Sequence, residues 1–155
     1  MAEDLAAFAP DRIFTSTEPK AIETGEILGN RLNVSCTEVA ELSEHDRSNV
    51  PFFPSAKEFE QRIAAFFEKP DELVFGRESA LKARERFCRG LEFVLGSGGF
   101  SQPVIVTHGT VLALYLGARL NRDPLELWKQ FSLPCYAVVS YDGKLLTEIQ
   151  GVKSP

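Results

Sequence analysis

Histidine is scarce in this chain, with only His45 and His108 among 155 residues. Two imidazoles do not make a metal centre without carboxylates beside them, and no metal-ligand cluster stands out. Cysteine is sparse too. Cys36, Cys88 and Cys135 are odd in number and far apart, so they read as reduced structural thiols rather than a disulfide framework. No apolar run reaches membrane-spanning length, which argues against a membrane protein. The opening Met-Ala-Glu-Asp-Leu lacks the basic and apolar stretches of a signal peptide, so a cytoplasmic location is expected. Positive charge is not in excess. The net charge is −5 and the pI about 5.1, which speaks against nucleic acid or an anionic membrane as partner. Nucleophile elbows, phosphate-cradling glycine loops and internal repeats are missing as well, and no cofactor is implied.

The remaining composition is that of a globular protein. Hydrophobic residues make up 44% and charged residues 25%, enough for one domain with a single core. Residues 1–150 are expected to form that domain and 151–155 a tail. Helical patterns are expected over Glu3–Phe8, from Ser16-Thr17 to Leu32, from Ser55 until Pro70 ends the run, and over Ser79–Leu95, Thr110–Leu120 and Asp123–Phe131. The second should bury Ala21, Ile27, Leu28 and Leu32. Ser55 with Glu58 has capping-box spacing. Strands are expected at Arg12–Thr15, Asn33–Cys36 and Pro103–Thr107. A hairpin is expected from Cys135–Tyr141 and Lys144–Ile149 around Asp142-Gly143. Thr37–Pro54 reads as a loop. Phenylalanine is abundant, at 12 residues, and core packing explains it. Strands alternate with helices before the hairpin. The expected class is α/β: one three-layer domain, a mostly parallel sheet with helices on both faces, and a C-terminal hairpin.

Two strand-to-helix junctions carry the chemistry. One is Thr15-Ser16-Thr17-Glu18-Pro19-Lys20, the other Thr107-His108-Gly109-Thr110. In a parallel sheet both lie on the edge where open α/β folds bind ligands, and helix N-termini attract anions. Hydroxyls and backbone donors there, with Lys20 and a protonated His108, suit a dianion such as phosphate. Taken singly, Ser16-Thr17 is an ordinary helix cap, a strand-end histidine is commonly structural, and Lys20 is a surface charge.

Together these residues resemble the histidine phosphatases, the phosphoglycerate mutase-like superfamily. Ser16 to Thr24 is similar to that family's Ser-Pro-x-x-Arg-Ala-x-x-Thr-Ala segment. Gly76-Arg77-Glu78-Ser79 with Arg86-Phe87 is similar to its Gly-Glu-Ser element. Val104 to Leu116 is similar to its second-histidine segment. The resemblance runs from residue 2 to residue 149. It implies phosphomonoesterase-like chemistry on a phosphorylated small molecule. His108 and Gly109 would bind and polarise the phosphoryl group, and Ser16 would line the pocket. Lys20 would replace a clamping arginine without its bidentate fork. Glu44 would stand at the general-acid position, with Glu41 the competing choice. In one respect the chain departs from the family. The Arg-His-Gly strand that carries the family's nucleophile has no counterpart here. The expectation is therefore a truncated or inactive member that binds phosphate. A non-catalytic, oligomerising or ligand-binding module on the same fold is the alternative, and an unrelated enzyme using His108 as base ranks last. In the resembled fold the absent strand lies beside the strand ending at His108. The C-terminal hairpin or a second copy of the chain, giving a homodimer, is expected to fill the gap.

Overall fold

The computed structural model describes residues 1–132, 134–141 and 146–153. Along the chain come α1 (Ala2–Ala6), β1 (Arg12–Thr15), α2 (Pro19–Leu32), β2 (Cys36–Glu38), a 3₁₀ turn (Ala40–Leu42), α3 (Ala56–Glu68) and α4 (Ala80–Ser97). They are followed by β3 (Pro103–Val106), α5 (Gly109–Leu120), α6 (Pro124–Gln130), β4 (Tyr136–Tyr141) and β5 (Leu146–Lys153).

The β-branched runs Arg12–Thr15 and Pro103–Val106 pair in parallel, with Thr15 opposite Val106, and β1 also pairs in parallel with β2. The order is β2-β1-β3, so β1 is central. Successive side chains of a strand point to opposite faces. Ile13 is accordingly buried with Leu5 and Leu28 on the α1/α2 side. Phe14 is buried on the other side, with Val39, Leu42, Phe87 and Val111. β3 alternates in step, since Val104 and Val106 face the first cluster and Ile105 the second. Both faces of the sheet are thus covered, and the α/β layering expected from the alternating elements is present.

Local side-chain caps set the starts of α3, α4 and α6. Ser55 Oγ accepts the Glu58 N–H at 3.2 Å, Ser79 Oγ accepts the Lys82 N–H, and Asp123 Oδ1 accepts the Leu125 N–H. Helix α2 departs from expectation. Its N-cap is Glu18, which makes no side-chain cap bond, and Ser16 and Thr17 precede it. Its buried face is Ala21, Gly25, Leu28 and Gly29, whereas Ile27 is 53% exposed. Gly25 lies against β1, where a Cβ would strike the Thr15 Cγ2 methyl, so the absence of a side chain sets how closely α2 approaches the sheet. The helix ends at Asn33 in the left-handed conformation, and β2 therefore begins at Cys36 rather than Asn33.

The C-terminal strands differ from expectation in two ways. β5 runs on to Lys153, across the expected domain–tail boundary, while the Asp142-Gly143 turn lies outside the described residues. The hairpin also does not extend the β3 ladder. β4 pairs antiparallel with β5 in a separate two-stranded sheet. Tyr136 nevertheless packs against the first core and Ala137 against the second, so β4 follows the same alternation as β3 without bonding to it. Among the described residues, β3 has a strand partner on one edge only.

Candidate functional site

The parallel register brings the ends of β1 and β3 side by side, and the Ser16 N–H bonds to Val106 O at 3.0 Å. Ser16 and His108 then meet across 92 residues of sequence. Ser16 Oγ lies 2.6 Å from His108 Nε2, and both residues are buried. Ser16 Oγ also accepts the Glu18 N–H at 3.2 Å. Glu18 Oε1 stands 3.3 Å from the same Nε2. Serine and carboxylate thus share one nitrogen. A hydrolase triad places them on opposite nitrogens, so an acyl-transfer triad is not formed. A proton on Nε2 serves both oxygens at once.

Glu18 is the junction of this group. One carboxylate oxygen accepts the Glu44 N–H at 2.7 Å, and the other meets Lys20 Nζ at 3.3 Å. Its burial raises the carboxyl pKa, but the Glu44 N–H, His108 and Lys20 outweigh that, and the net shift is downward. Lys20 is 62% exposed and leans on Glu18 rather than into the site. Burial holds the His108 pKa below its ordinary value. The carboxylates of Glu18 and Glu44 pull the other way without reversing it, and Lys20 and Arg47 add to the depression.

The N-terminus of α5 is where an anion was expected, and a carboxylate of the protein occupies it. Glu44 is buried, at 9% exposure. Its oxygens accept the N–H groups of Thr110 and Val111, each at 3.2 Å, and that of His45 at 2.9 Å. These are the orphan donors of a helix start, and a negative charge there is favoured by the helix dipole. Within the acidic run Glu41–Asp46, Leu42, Glu44 and His45 therefore turn inward while Glu41 and Asp46 stay exposed. A general acid must present an O–H to its substrate. Both Glu44 oxygens instead face N–H donors. Glu41 stays exposed, and its backbone carbonyl is the part in use, as an acceptor for Arg86.

Arg86 and Glu78 hold this run in place. Arg86 donates to the carbonyls of Glu41, Ser43 and Glu44 at 2.9, 2.8 and 3.0 Å, and to Glu78 Oε1 at 2.6 Å. Glu78 also accepts the Asp46 N–H at 3.0 Å. Thr107 Oγ1 adds a bond to Leu42 O at 2.7 Å, closing the run over the sheet edge. The second histidine is a packed core group. His45 is 2% exposed and stacks on Phe66 at 4.1 Å, with Nε2 3.1 Å from Phe75 O. Burial pushes its pKa down, Arg47 adds to that, and Glu44 and Glu78 oppose it.

The structure therefore joins Ser16, His108, Glu44 and the start of α5 at Gly109, and leaves Lys20 at the rim. Glu18, Arg86 and Glu78 had no assigned role from sequence. Glu18 stands in the same turn as Ser16 and Lys20, which was its only signal. A separate shallow groove of about 670 Å³, lined by Glu26, Asn30, Ser35 and Cys36 among others, lies between α2 and β2. Burial and Glu26 push the Cys36 thiol pKa up, which disfavours the reactive thiolate. No cluster of metal-ligating side chains occurs among the described residues. No helix among them is long and apolar enough to cross a membrane.

Comparison with known proteins identifies the family and the fold. The sequence matches the histidine phosphatase superfamily, branch 1, over residues 1–148, and the chain belongs to that family. Among solved structures, it is similar to a mycobacterial glucosyl-3-phosphoglycerate phosphatase in complex with VO3 (TM-score 0.68, 17% identity, 97% of this chain and 79% of that one). It is also similar to the alpha-ribazole phosphatase from Shigella flexneri (TM-score 0.66, 13% identity, 96% and 80%). A third likeness is to "Mycobacterial hydrolase 1" (TM-score 0.63, 18% identity, 84% of this chain and 66% of that one). The match to "Mycobacterial hydrolase 2" spans 60% of that chain, so the chain spans less than two thirds of either hydrolase. At these identities the likeness is one of fold. No curated protein matches by sequence.

Proposed function

We propose that this chain binds phosphate, or the phosphate group of a small phosphorylated molecule, at the junction of Ser16 and His108. The observation that carries this reading is the 2.6 Å contact between Ser16 Oγ and His108 Nε2, which brings two strand-to-helix turns together. Family membership and phosphatase neighbours support the ligand class. In this reading a phosphate oxygen displaces the Glu18 carboxylate from Nε2 and takes its proton contact. His108 becomes protonated, Ser16 donates its hydroxyl, and Lys20 swings in as a point charge. Glu44 stays at the α5 start as an acceptor, which favours a structural role over that of an acid.

The same reading holds that the chain alone retains phosphate without turning it over. Phosphoryl transfer through a histidine needs a neutral imidazole in line with phosphorus, beside the group that polarises it. His45, stacked on Phe66, is the sequence's only other imidazole. The expected calorimetric result is saturable phosphate binding that His108→Ala abolishes, with no release of phosphate from a generic aryl phosphate. Turnover that survives His108→Ala would refute the assignment.

A second reading, an oligomerising module, is favoured by one observation. β3 keeps an unpaired edge among the described residues although β4 follows its alternation. Such an edge is a template for a further strand, supplied in that reading by a second copy. Sedimentation of the purified chain separates the two, since a monomer at all concentrations removes the dimer.

A further inference from the structure

We infer that Glu18 is the resident occupant of the oxyanion site at Ser16 and His108, and that it decides what enters: a tetrahedral oxyanion displaces it and a carboxylate does not. The inference rests on the phosphate reading of that corner. Glu18 gathers the donors that an incoming anion would need. Its Oε1 lies 3.3 Å from His108 Nε2 and accepts the Glu44 N–H at 2.7 Å, and its Oε2 meets Lys20 Nζ at 3.3 Å. Ser16 Oγ stands 2.6 Å from the same Nε2. A backbone N–H, an imidazole and an ammonium converging on one carboxylate form an anion-binding set that is already filled.

The geometry also lets the occupant leave. The Glu18 side chain is 33% exposed, whereas that of His108 is 4% exposed and Ser16 is fully buried. Solvent therefore meets the carboxylate before it meets the ring or the hydroxyl. Lys20, its ion-pair partner, is exposed as well. Glu44 is the contrasting case. Its carboxylate is buried and meets three backbone N–H groups, so it stays in place. Burial works against the Glu18 charge, but the Glu44 N–H, His108 and Lys20 outweigh it, and the group is anionic around neutral pH.

A tethered carboxylate competes as an intramolecular ligand, at an effective concentration far above that of a free one in solution. A free carboxylate offers two oxygens, the number Glu18 already supplies, so exchange gains it no contact. Phosphate and sulfate offer four. Either can meet Nε2, the Glu44 N–H and Lys20 together and add the Ser16 hydroxyl. Glu18 thus keeps carboxylates out and lowers the affinity of the oxyanions that do enter.

The probes are inorganic phosphate and formate at about pH 6.5, titrated by calorimetry and followed at His108 by NMR. Glu18→Gln removes the charge and keeps an acceptor for the Glu44 N–H. It is expected to bind phosphate about tenfold tighter than the wild type and to bind formate saturably. Formate at concentrations that saturate the variant should leave wild-type His108 unmoved. In ligand-free Glu18→Gln, His108 should titrate lower than in the wild type, because one supporting carboxylate is gone while Glu44 remains and Lys20 and Arg47 still oppose protonation. Adding His108→Ala to Glu18→Gln should abolish both gains. Equal phosphate affinity in the two proteins, or formate binding the wild type as tightly as the variant, overturns the inference and leaves the phosphate reading standing. Phosphate bound by the variant alone supports the resident occupant and refutes the phosphate reading of the native chain. No anion bound by either protein refutes both. If Glu18→Gln does not fold, the wild type decides. Formate affinity within about tenfold of the phosphate affinity then overturns the inference, and phosphate binding without formate binding supports it.

Discussion

Replacing Glu44 by alanine separates an internal anion from a substrate-facing acid. The carboxylate accepts the N–H groups of Thr110 and Val111, both at buried positions of the first turn of α5, and that of His45. Alanine leaves the two helix donors without a partner. Each unsatisfied buried donor costs about 1–3 kcal/mol, and the lost charge at the helix start adds about 0.3–1 kcal/mol. The sum for Glu44→Ala is roughly 2–7 kcal/mol, and for a chain of this size each kcal/mol lowers Tm by about 2–4 °C. A fall on the order of 10 °C is expected in thermal denaturation followed by circular dichroism. Glu44→Gln keeps one acceptor oxygen and should lose less, about 1–2 kcal/mol. The vacated helix start is itself an anion site, so sulfate should restore Glu44→Ala stability far more than it raises that of the wild type. A Glu44→Ala protein that melts with the wild type and ignores sulfate would refute this account of the acidic run.

Three further outcomes follow from the same network. Arg86→Met strips the donor from three backbone carbonyls and leaves Glu78, 14% exposed, without its cation; stability should fall by about 3–5 kcal/mol in urea denaturation. Gly76→Ala forces a side chain onto φ +83° and places Cβ 2.5 Å from both Asp46 O and His45 Nε2, so soluble yield or Tm should drop more than for any exposed glycine replacement. Acid titration should expose the buried histidines. Both pKa values lie below the unfolded value, so the unfolded chain binds more protons in the window between them, and stability falls as pH drops below about 6.5. The slope is at most about 1.4 kcal/mol per pH unit per histidine, and His45→Phe should roughly halve it.

What the sequence made legible was mostly local. Ser55, Ser79 and Asp123 cap helices that begin where their spacing says, because cap and donor lie two or three residues apart. The alternation of Ile13 with Phe14 needed only the period of a strand. Contacts across long stretches of chain were legible only coarsely, as two junctions on one edge of a parallel sheet and as a family likeness. Ser16 looks like a cap, yet its hydroxyl faces an imidazole 92 residues away. Glu44 sits in a polar run that reads as solvated, and only the fold shows that α5 starts against it. In α2 a hydrophobic tally chose Ile27, while packing against β1 required Gly25, whose contribution is the absence of volume. The hairpin pattern carried strand identity but no information about its partner, and β4 bonds to β5 rather than to β3.

The most direct test follows the His108 imidazole itself by NMR across a pH titration, with and without sulfate, whose own charge stays constant over the range. A bound oxyanion favours the imidazolium, so sulfate should raise the His108 pKa and leave His45 unmoved, with Ser16→Ala weakening the response. A His108 pKa indifferent to saturating sulfate would contradict the claim that this corner of the sheet is built to hold a phosphoryl group.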